Sequence, residues 1–204
     1  MKNILTCLLL VLATTSCGKK FKAQRLTTQQ GDQKAMEITD AWLATDTKMA
    51  VQDILAQIQK HNGYRRYRSQ LGAKRPKVFI AEVSNNTSEA YFPVQDLNDE
   101  LLNEFSYSGE YALIDAVARE KILNEIQYQN DGMVKPEDIA KIGKQSGANL
   151  LIFGNINMIP HTRDGQTIKE YSVNIRMTDI ESGEEVLRTR YNASKYSKRS
   201  GYAW

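Results

Sequence analysis

Apolar and polar positions follow two different periods along this chain. Apolar residues recur every three or four positions in 49–58 and again in 97–105, and each stretch predicts an amphipathic helix. They recur at every second position in 169–180, which predicts a half-buried β-strand. Asp46 is the expected N-cap of the first helix, and Asn62 with the glycine that follows it is the expected stop.

The remaining segments predict a fold of the α+β class. Further strands are expected at 77–83, 111–115, 150–159 and 185–193, and further helices at 118–129 and from Pro136 to Gly147. Turn residues mark 84–87 and 181–184, and the basic stretch 64–74 is either an exposed loop or an extension of the first helix. Helices come early and hairpins late. We therefore predict a single domain in which a mixed, mainly antiparallel β-sheet is flanked by α-helices.

The first residues have the layout of an export signal. Lys2 precedes an apolar run over 4–13 that is too short to cross a membrane as a helix, and small residues then lead to Cys17. This order resembles a bacterial lipobox, in which the cysteine becomes the lipidated first residue of the mature chain, although Thr14 stands where leucine is usual. The alternative is an ordinary signal peptide with an incidental cysteine. We predict a lipoprotein signal peptide over 1–16 and lipidation at Cys17.

A polar, basic stretch follows the cysteine. Residues 17–35 predict a lipidated flexible tether, whose basic side chains either lie on anionic headgroups or are simply solvated. In diderm bacteria an aspartate after the lipidated cysteine favours the inner membrane, so Gly18 favours the outer membrane. Residues 36–204 are then the binding domain.

Composition excludes most catalytic chemistry from that domain. The chain has 204 residues, of which 41% are hydrophobic and 25% charged, and these values suit a globular protein. Cys7 and Cys17 both lie in the first segment, so the domain has no cysteine for a disulfide, a nucleophile or a zinc site. His61 and His161 are isolated, and neither a phosphate-binding glycine loop nor a serine-nucleophile motif is present. We predict no enzyme activity, no catalytic residue, and no metal or cofactor.

The end of the chain is basic and aromatic, and no acidic residue follows Glu185. Arginine and tyrosine are enriched at protein interfaces, so this segment is a candidate docking surface. The alternative is an edge strand protected by its cations, followed by a frayed tail. Nucleic acid is not an expected partner, because an exported protein rarely meets any.

Several short stretches, in order along the chain, resemble the LpoB-type activators of penicillin-binding proteins. That family belongs to a wider set with the curli-secretion protein CsgG and the amino-terminal domain of TolB. The matching stretches are Trp42 with Thr45–Asp46, 76–83 with Asn85 and Thr87, Ser108–Gly109, 139–156, 171–175 and 179–184.

The resemblance implies an LpoB/TolB-like α+β fold and a non-catalytic role. It implies a lipid-anchored outer-membrane protein that faces the periplasm and binds and activates a peptidoglycan synthase, a bifunctional penicillin-binding protein. Better-known members carry a long proline-rich linker, whereas this tether is short and lacks proline. An alternative is a structural or secretion-assembly lipoprotein like CsgG, for which the hairpin 169–193 is the one candidate. The expected partner-binding residues are Asn85, Asn86, Thr87, Arg188, Arg190, Tyr191, Lys195, Lys198 and Arg199.

Overall fold

The computed structural model describes residues 23–114 and 147–199. The chain divides into two compact units, residues 1–31 and 32–204. Helix α1, Thr28–Ile38, starts in the first unit at a reciprocal cap between Thr27 and Gln30, each of which accepts the other's backbone amide at 3.3 Å. The last part of the predicted tether is therefore helical.

Two helices follow in place of the one that the sequence predicts. Helix α2 spans Ala44–Lys60 and helix α3 spans Asn62–Leu71. His61 breaks the path between them and caps α3, since its Nδ1 accepts the Gly63 amide at 3.1 Å. The glycine is required here because a Cβ would collide with the Val186 carbonyl. The basic stretch 64–74 is thus mostly helical. One face of α3 lies against the strand that contains Val186.

The prediction that Asp46 is the N-cap of α2 is wrong. The helix begins two residues earlier, and Asp46 lies inside its first turn, where Oδ2 accepts the Leu43 amide at 2.8 Å. A carboxylate in this position still suits the helix dipole. The sequence therefore locates the N-terminal end of the helix correctly, but it places the Asp46 carboxylate before the helix and not inside its first turn.

In the described part of the chain, five strands form one mixed sheet in the order β2-β1-β3-β4-β5. Their bounds are β1 Lys77–Asn86, β2 Ala112–Leu113, β3 Leu150–Arg163, β4 Gln166–Asp179 and β5 Glu185–Lys198. β1 pairs in parallel with β2 and β3, whereas β3, β4 and β5 pair antiparallel. Helix α4, Val94–Tyr107, connects β1 to β2. This confirms the α+β class and the mainly antiparallel sheet.

The strands extend beyond the segments that apolar alternation predicts. Residues 84–86 belong to β1 rather than to a loop, and β3 continues from Ile159 through polar residues to Arg163. β5 runs to Lys198, so residues 194–198 are paired strand and not a frayed tail. Pairing with a neighbouring strand holds these ends, which side-chain pattern alone does not reveal. The helices expected at 118–129 and after Pro136 lie outside the described residues.

The main core lies between the sheet and helices α2 and α4. Side chains that are fully buried there come from α2, α4 and the strands, among them Ile54, Leu101, Ile152 and Ile175. A smaller cluster on the opposite face contains Phe79, Ala81, Ala148, Leu151 and Ile180. No helix in the described part of the chain is both long and apolar enough to cross a membrane.

The side chain of Asn98 supplies a hydrogen bond at an irregularity in the sheet. The pairing of β1 with β3 shifts register between Ile80 and Val83. The Val83 amide, buried at this point, donates to Oδ1 of Asn98 on α4 at 2.9 Å. A buried amide without a hydrogen-bond acceptor destabilises the fold, and Asn98 on the buried face of α4 supplies that acceptor.

Trp42 anchors the segment before α2 to the sheet. Its ring is 4% exposed and lies 5.2 Å from Tyr171 and 5.4 Å from Phe92, centroid to centroid, while its Nε1 donates to Thr47 Oγ1 at 2.9 Å. Aromatic pairs at such distances are favourable beyond the area that they bury.

Replacing Trp42 with alanine should reduce the free energy of unfolding by about 3–5 kcal/mol, because it leaves a cavity and an unpaired Thr47 hydroxyl. Urea denaturation followed by circular dichroism measures this. Tyr91 is 99% exposed, so Tyr91→Ala serves as the matched aromatic control and should change stability by less than about 0.5 kcal/mol. Equal losses in the two variants would contradict the anchoring role of Trp42.

Candidate partner-binding surface

The face of the sheet opposite α2 and α4 carries a polar surface along β1, β3, β4 and β5. Its members are exposed or half-buried, and on β4 and β5 they alternate with more deeply buried positions. We call this surface the polar face, and its residues are Ser84, Asn86, Asn155, Asn157, Ser172, Asn174, Arg176, Arg188 and Arg190. Strand register lines them up in rows, of which one is Ser84, Asn155, Asn174 and Arg190.

A chain of hydrogen bonds crosses the middle of the polar face. Arg190 Nε donates to Asn174 Oδ1 at 2.6 Å, and Asn174 Nδ2 donates to Asn155 Oδ1 at 3.0 Å. Asn157 Nδ2 also approaches Asn155 Oδ1, at 3.4 Å. These bonds fix the amides and aim the guanidinium, whose Nη atoms have no partner among the described residues. Arg190 therefore presents two oriented donors to an approaching acceptor.

Two more guanidinium groups lie beside this row. Arg176 and Arg188 stand directly opposite each other on β4 and β5, an arrangement of like charges that is unfavourable by itself. Arg176 lies over the Phe153 ring at 5.5 Å, and Arg188 binds Glu185 through two hydrogen bonds of 3.0 and 2.7 Å. The hydrogen bonds from Arg188 hold the pKa of the Glu185 carboxyl below its ordinary value. The surface as a whole is cationic and suits an anionic partner.

Asn85 and Thr87 serve the loop after β1 instead of the polar face. Asn85 Oδ1 accepts both the Thr87 amide at 2.9 Å and the Thr87 hydroxyl at 2.6 Å, and Asn85 Nδ2 donates to the Glu89 carbonyl at 3.1 Å. This is a side-chain turn that replaces missing backbone bonds. It positions Glu89, whose Oε1 accepts hydrogen bonds from Lys169 at 2.7 Å and from the Tyr171 hydroxyl at 2.8 Å.

Lys195 belongs to a cluster of charges on the covered face. We call this cluster the polar clamp, and it consists of Asp40, Asp46, Glu89, Lys169 and Lys195. Lys195 is 7% exposed and pairs with Asp46, while Lys169 pairs with both Asp40 and Glu89 at 2.7 Å. Because its ammonium is held inside the protein, Lys195 presents no free charge at the surface.

Hydrogen bonds shift the titration of the polar clamp. Those from Lys169 and from Ser197, at 2.6 Å, hold the pKa of the Asp40 carboxyl below its ordinary value of 3.8. Burial opposes the charge on Lys169, but its bonds to Asp40 and Glu89 outweigh burial and raise the pKa of the ammonium. Burial and the bond to Glu89 raise the pKa of the Tyr171 hydroxyl. These shifts favour the charged forms of Asp40 and Lys169.

The three other expected residues lie on or beside β5. Tyr191 is half-buried, with its ring perpendicular to Trp42 at 6.4 Å. Lys198 and Arg199 are exposed, and the Arg199 amide donates to the Gly165 carbonyl at 2.9 Å. Of the nine expected residues, the structure thus brings Asn86, Arg188 and Arg190 together on one surface. Binding by any of them stays a prediction.

The residues at the centre of this surface are not among those expected from the sequence. Asn155 and Asn157 interrupt an apolar run at alternate positions, and Asn174 and Arg176 do the same in β4. That alternation is the signal which could have located them. These residues come together because of the register between neighbouring strands, and the sequence of one strand does not reveal that register.

Asp40→Asn tests the polar clamp through pH. A folded-state pKa below 3.8 means that the ionised carboxylate stabilises the fold above that pH and that the contribution is lost as pH falls through the folded-state value. The variant should be about 1–3 kcal/mol less stable than the parent near neutral pH, with the difference shrinking at pH well below 3.8. Denaturant unfolding across this range measures it. Glu37→Gln, an exposed neighbour, should show neither effect, and a difference for Asp40→Asn that does not vary with pH would contradict the assignment.

Known proteins match this architecture. A family model described as the peptidoglycan-synthase activator LpoB matches residues 46–191, more than half of the chain. The LpoB C-terminal domain from Salmonella enterica is 11% identical, with 72% of this chain and 98% of that domain covered and a TM-score of 0.52. E. coli LpoB is 10% identical, with 88% and 77% covered and a TM-score of 0.50. No curated protein matches this chain. The structural matches show a common fold, and the span of the family model shows that the chain belongs to the LpoB family of peptidoglycan-synthase activators.

Proposed function

We propose that this protein is a non-catalytic activator that binds a bifunctional peptidoglycan synthase through the polar face. The observation that carries the proposal is the match of the activator family to residues 46–191, which include the whole polar face. The supporting geometry is a row of fixed amide and guanidinium groups, in which the Nη atoms of Arg190 have no partner among the described residues. Such donors bind carboxylates by charge-assisted hydrogen bonds, so the site on the synthase should be acidic.

A second part of the proposal concerns the N-terminal residues and the attachment of the protein to the cell envelope. We propose that residues 1–16 are a lipoprotein signal peptide, that Cys17 carries the lipid, and that residues 17–35 tether the domain 36–204. The protein then sits on the outer membrane and faces the periplasm. Several acyl chains on one residue give stable anchoring, because each buried methylene contributes about 0.8 kcal/mol.

Activation needs no reactive group on this chain. A binder can raise the rate of an enzyme if it binds the active conformation of that enzyme more tightly than the inactive one. Each tenfold difference in affinity between the two conformations shifts their populations by about 1.4 kcal/mol. The rigid, hydrogen-bonded amide row suits this role, since a preformed surface loses little entropy on binding.

The activator role is tested with the purified full chain in detergent and the bifunctional synthase encoded by the same organism. The chain should increase the rate of glycan polymerisation from lipid-linked precursor, measured by a continuous fluorescence assay. Absence of binding to the synthase in pull-down and calorimetry would remove the proposal.

Charge reversal tests the role of the polar face. Arg188→Glu combined with Arg190→Glu should weaken synthase binding by at least about tenfold, because exposed guanidinium donors are replaced by repelling carboxylates. Lys48→Glu combined with Lys60→Glu is the matched control, with the same change in net charge on exposed positions of α2. Calorimetry gives both affinities. If the two double variants bind alike, the polar face is not the interface.

A further inference from the structure

Among the strands that the structure describes, β5 is the outermost, and one of its sides faces away from β4. The Gln57 side chain identifies which backbone groups point outward, since its Nε2 donates to the Arg190 carbonyl at 2.9 Å and its Oε1 accepts the Arg190 amide at 3.3 Å. Hydrogen-bonding direction alternates along a paired strand, and the register with β4 is continuous from Thr189 to Lys198. The outward residues beyond Arg190 are therefore Asn192, Ser194, Tyr196 and Lys198.

The first half of this edge is closed and the second half is open. α3 covers the start of the strand, where Gly63 meets the Val186 carbonyl, and Gln57 occupies both groups of Arg190. Within the described residues, nothing bonds to the outward backbone groups of residues 192–198. An open edge of this length is a template for an added strand.

An apolar patch lies beside the open edge, near the tip of the β3–β4 hairpin. Tyr196 and Ile168 stand directly opposite each other on β5 and β4 and are 58% and 41% exposed, and Ile159 on β3 is 58% exposed. A surface cavity of about 290 Å³ lies here, with Ile168 and Tyr196 in its lining. Exposed apolar groups beside unpaired backbone favour an occupant that makes main-chain bonds and inserts a side chain.

The charges at this site select the occupant. Lys198 and Arg199 are exposed at the end of the open edge and have no anionic partner among the described residues. On β5 itself, Lys195 is buried against Asp46 and Arg188 is paired with Glu185, which leaves Arg190 and Lys198 as exposed cations without an acidic partner among the described residues. A second copy of β5 would therefore bring like charges together, whereas an acidic segment would be attracted.

We propose that the open edge of β5, Asn192–Lys198, binds an extended acidic segment of a partner protein by strand addition. An apolar side chain of that segment packs on Tyr196 and Ile168, and its carboxylates meet Lys198 and Arg199. The inference rests on the proposed function for the source of the segment, which is the synthase. The added strand continues the sheet beside the polar face, so one partner contacts both.

Amide hydrogen exchange tests the mode of binding in the complex of the full chain with the synthase. In the free protein the outward amides of Asn192, Ser194, Tyr196 and Lys198 should exchange fast, while the inward amides between them are protected by β4. On binding, the outward set should slow by at least about tenfold, a pattern that side-chain docking does not produce. Synthase binding without this protection overturns strand addition and leaves the proposed function standing.

Ser194→Pro removes one outward donor and places a ring on the open edge. The inward ladder to β4 is untouched, and proline is tolerated on edge strands. The variant should weaken binding at least about tenfold, whereas Ser194→Ala, which keeps the amide, should bind like the parent. Lys198→Glu with Arg199→Glu provides a second test that leaves the backbone intact, and it should also weaken binding. Unchanged affinity in both tests overturns the proposal.

A synthetic peptide separates this inference from the identity of the synthase. The probe is an acetylated, amidated octapeptide of alternating valine and aspartate, with the valine–lysine octapeptide as its control. Titration followed by NMR should show the acidic peptide shifting the amides of residues 192–198 and the basic peptide binding at least about tenfold more weakly. Equal binding of the two peptides, or shifts elsewhere only, overturns it. A dimer of the chain in sedimentation that occupies the same amides would instead identify a second copy as the occupant and overturn it as well.

Discussion

The indole of Trp42 lies where the start of α2 meets β4 and β5, in contact with Phe92, Tyr171 and Tyr191. Its burial fixes the segment before α2 on the sheet. Because that segment carries Asp40 and the first turn carries Asp46, the same contact delivers both carboxylates to their lysines. The β1–α4 loop is held there too, through Phe92. The rest of the covered face depends on this one aromatic contact.

The polar clamp adds selectivity to that contact. Removing charges from water costs nearly as much as their attraction returns, so such pairs contribute little net stability. Any arrangement that left Lys169 or Lys195 inside without its acid would be penalised strongly. The clamp therefore favours one register of the segment before α2, while the apolar core supplies most of the free energy. Lys195 and Lys198 are three positions apart on one strand, so their side chains lie on opposite faces of the sheet and only Lys195 of the two reaches the clamp.

The two faces of the sheet and its edge differ in how their polar groups are used. One face carries the helices, the aromatic anchor and the clamp. The other holds amides and guanidinium groups fixed by hydrogen bonds, and the outward backbone groups in the second half of β5 have no partner in the part of the chain that the structure describes. These two surfaces carry the contacts that we propose with the synthase.

Sequence by itself determined several local elements and the family resemblance. The periods of 3.6 and 2 are local properties, so α2, α4 and β4 could be predicted from single segments. Strand order, register and strand ends came only from the tertiary structure. That is why the amide row from Asn155 to Arg190, the burial of Lys195 and the open edge at Ser194 were missed. Each depends on residues distant in sequence, and only long-range pairing decides which of them meet.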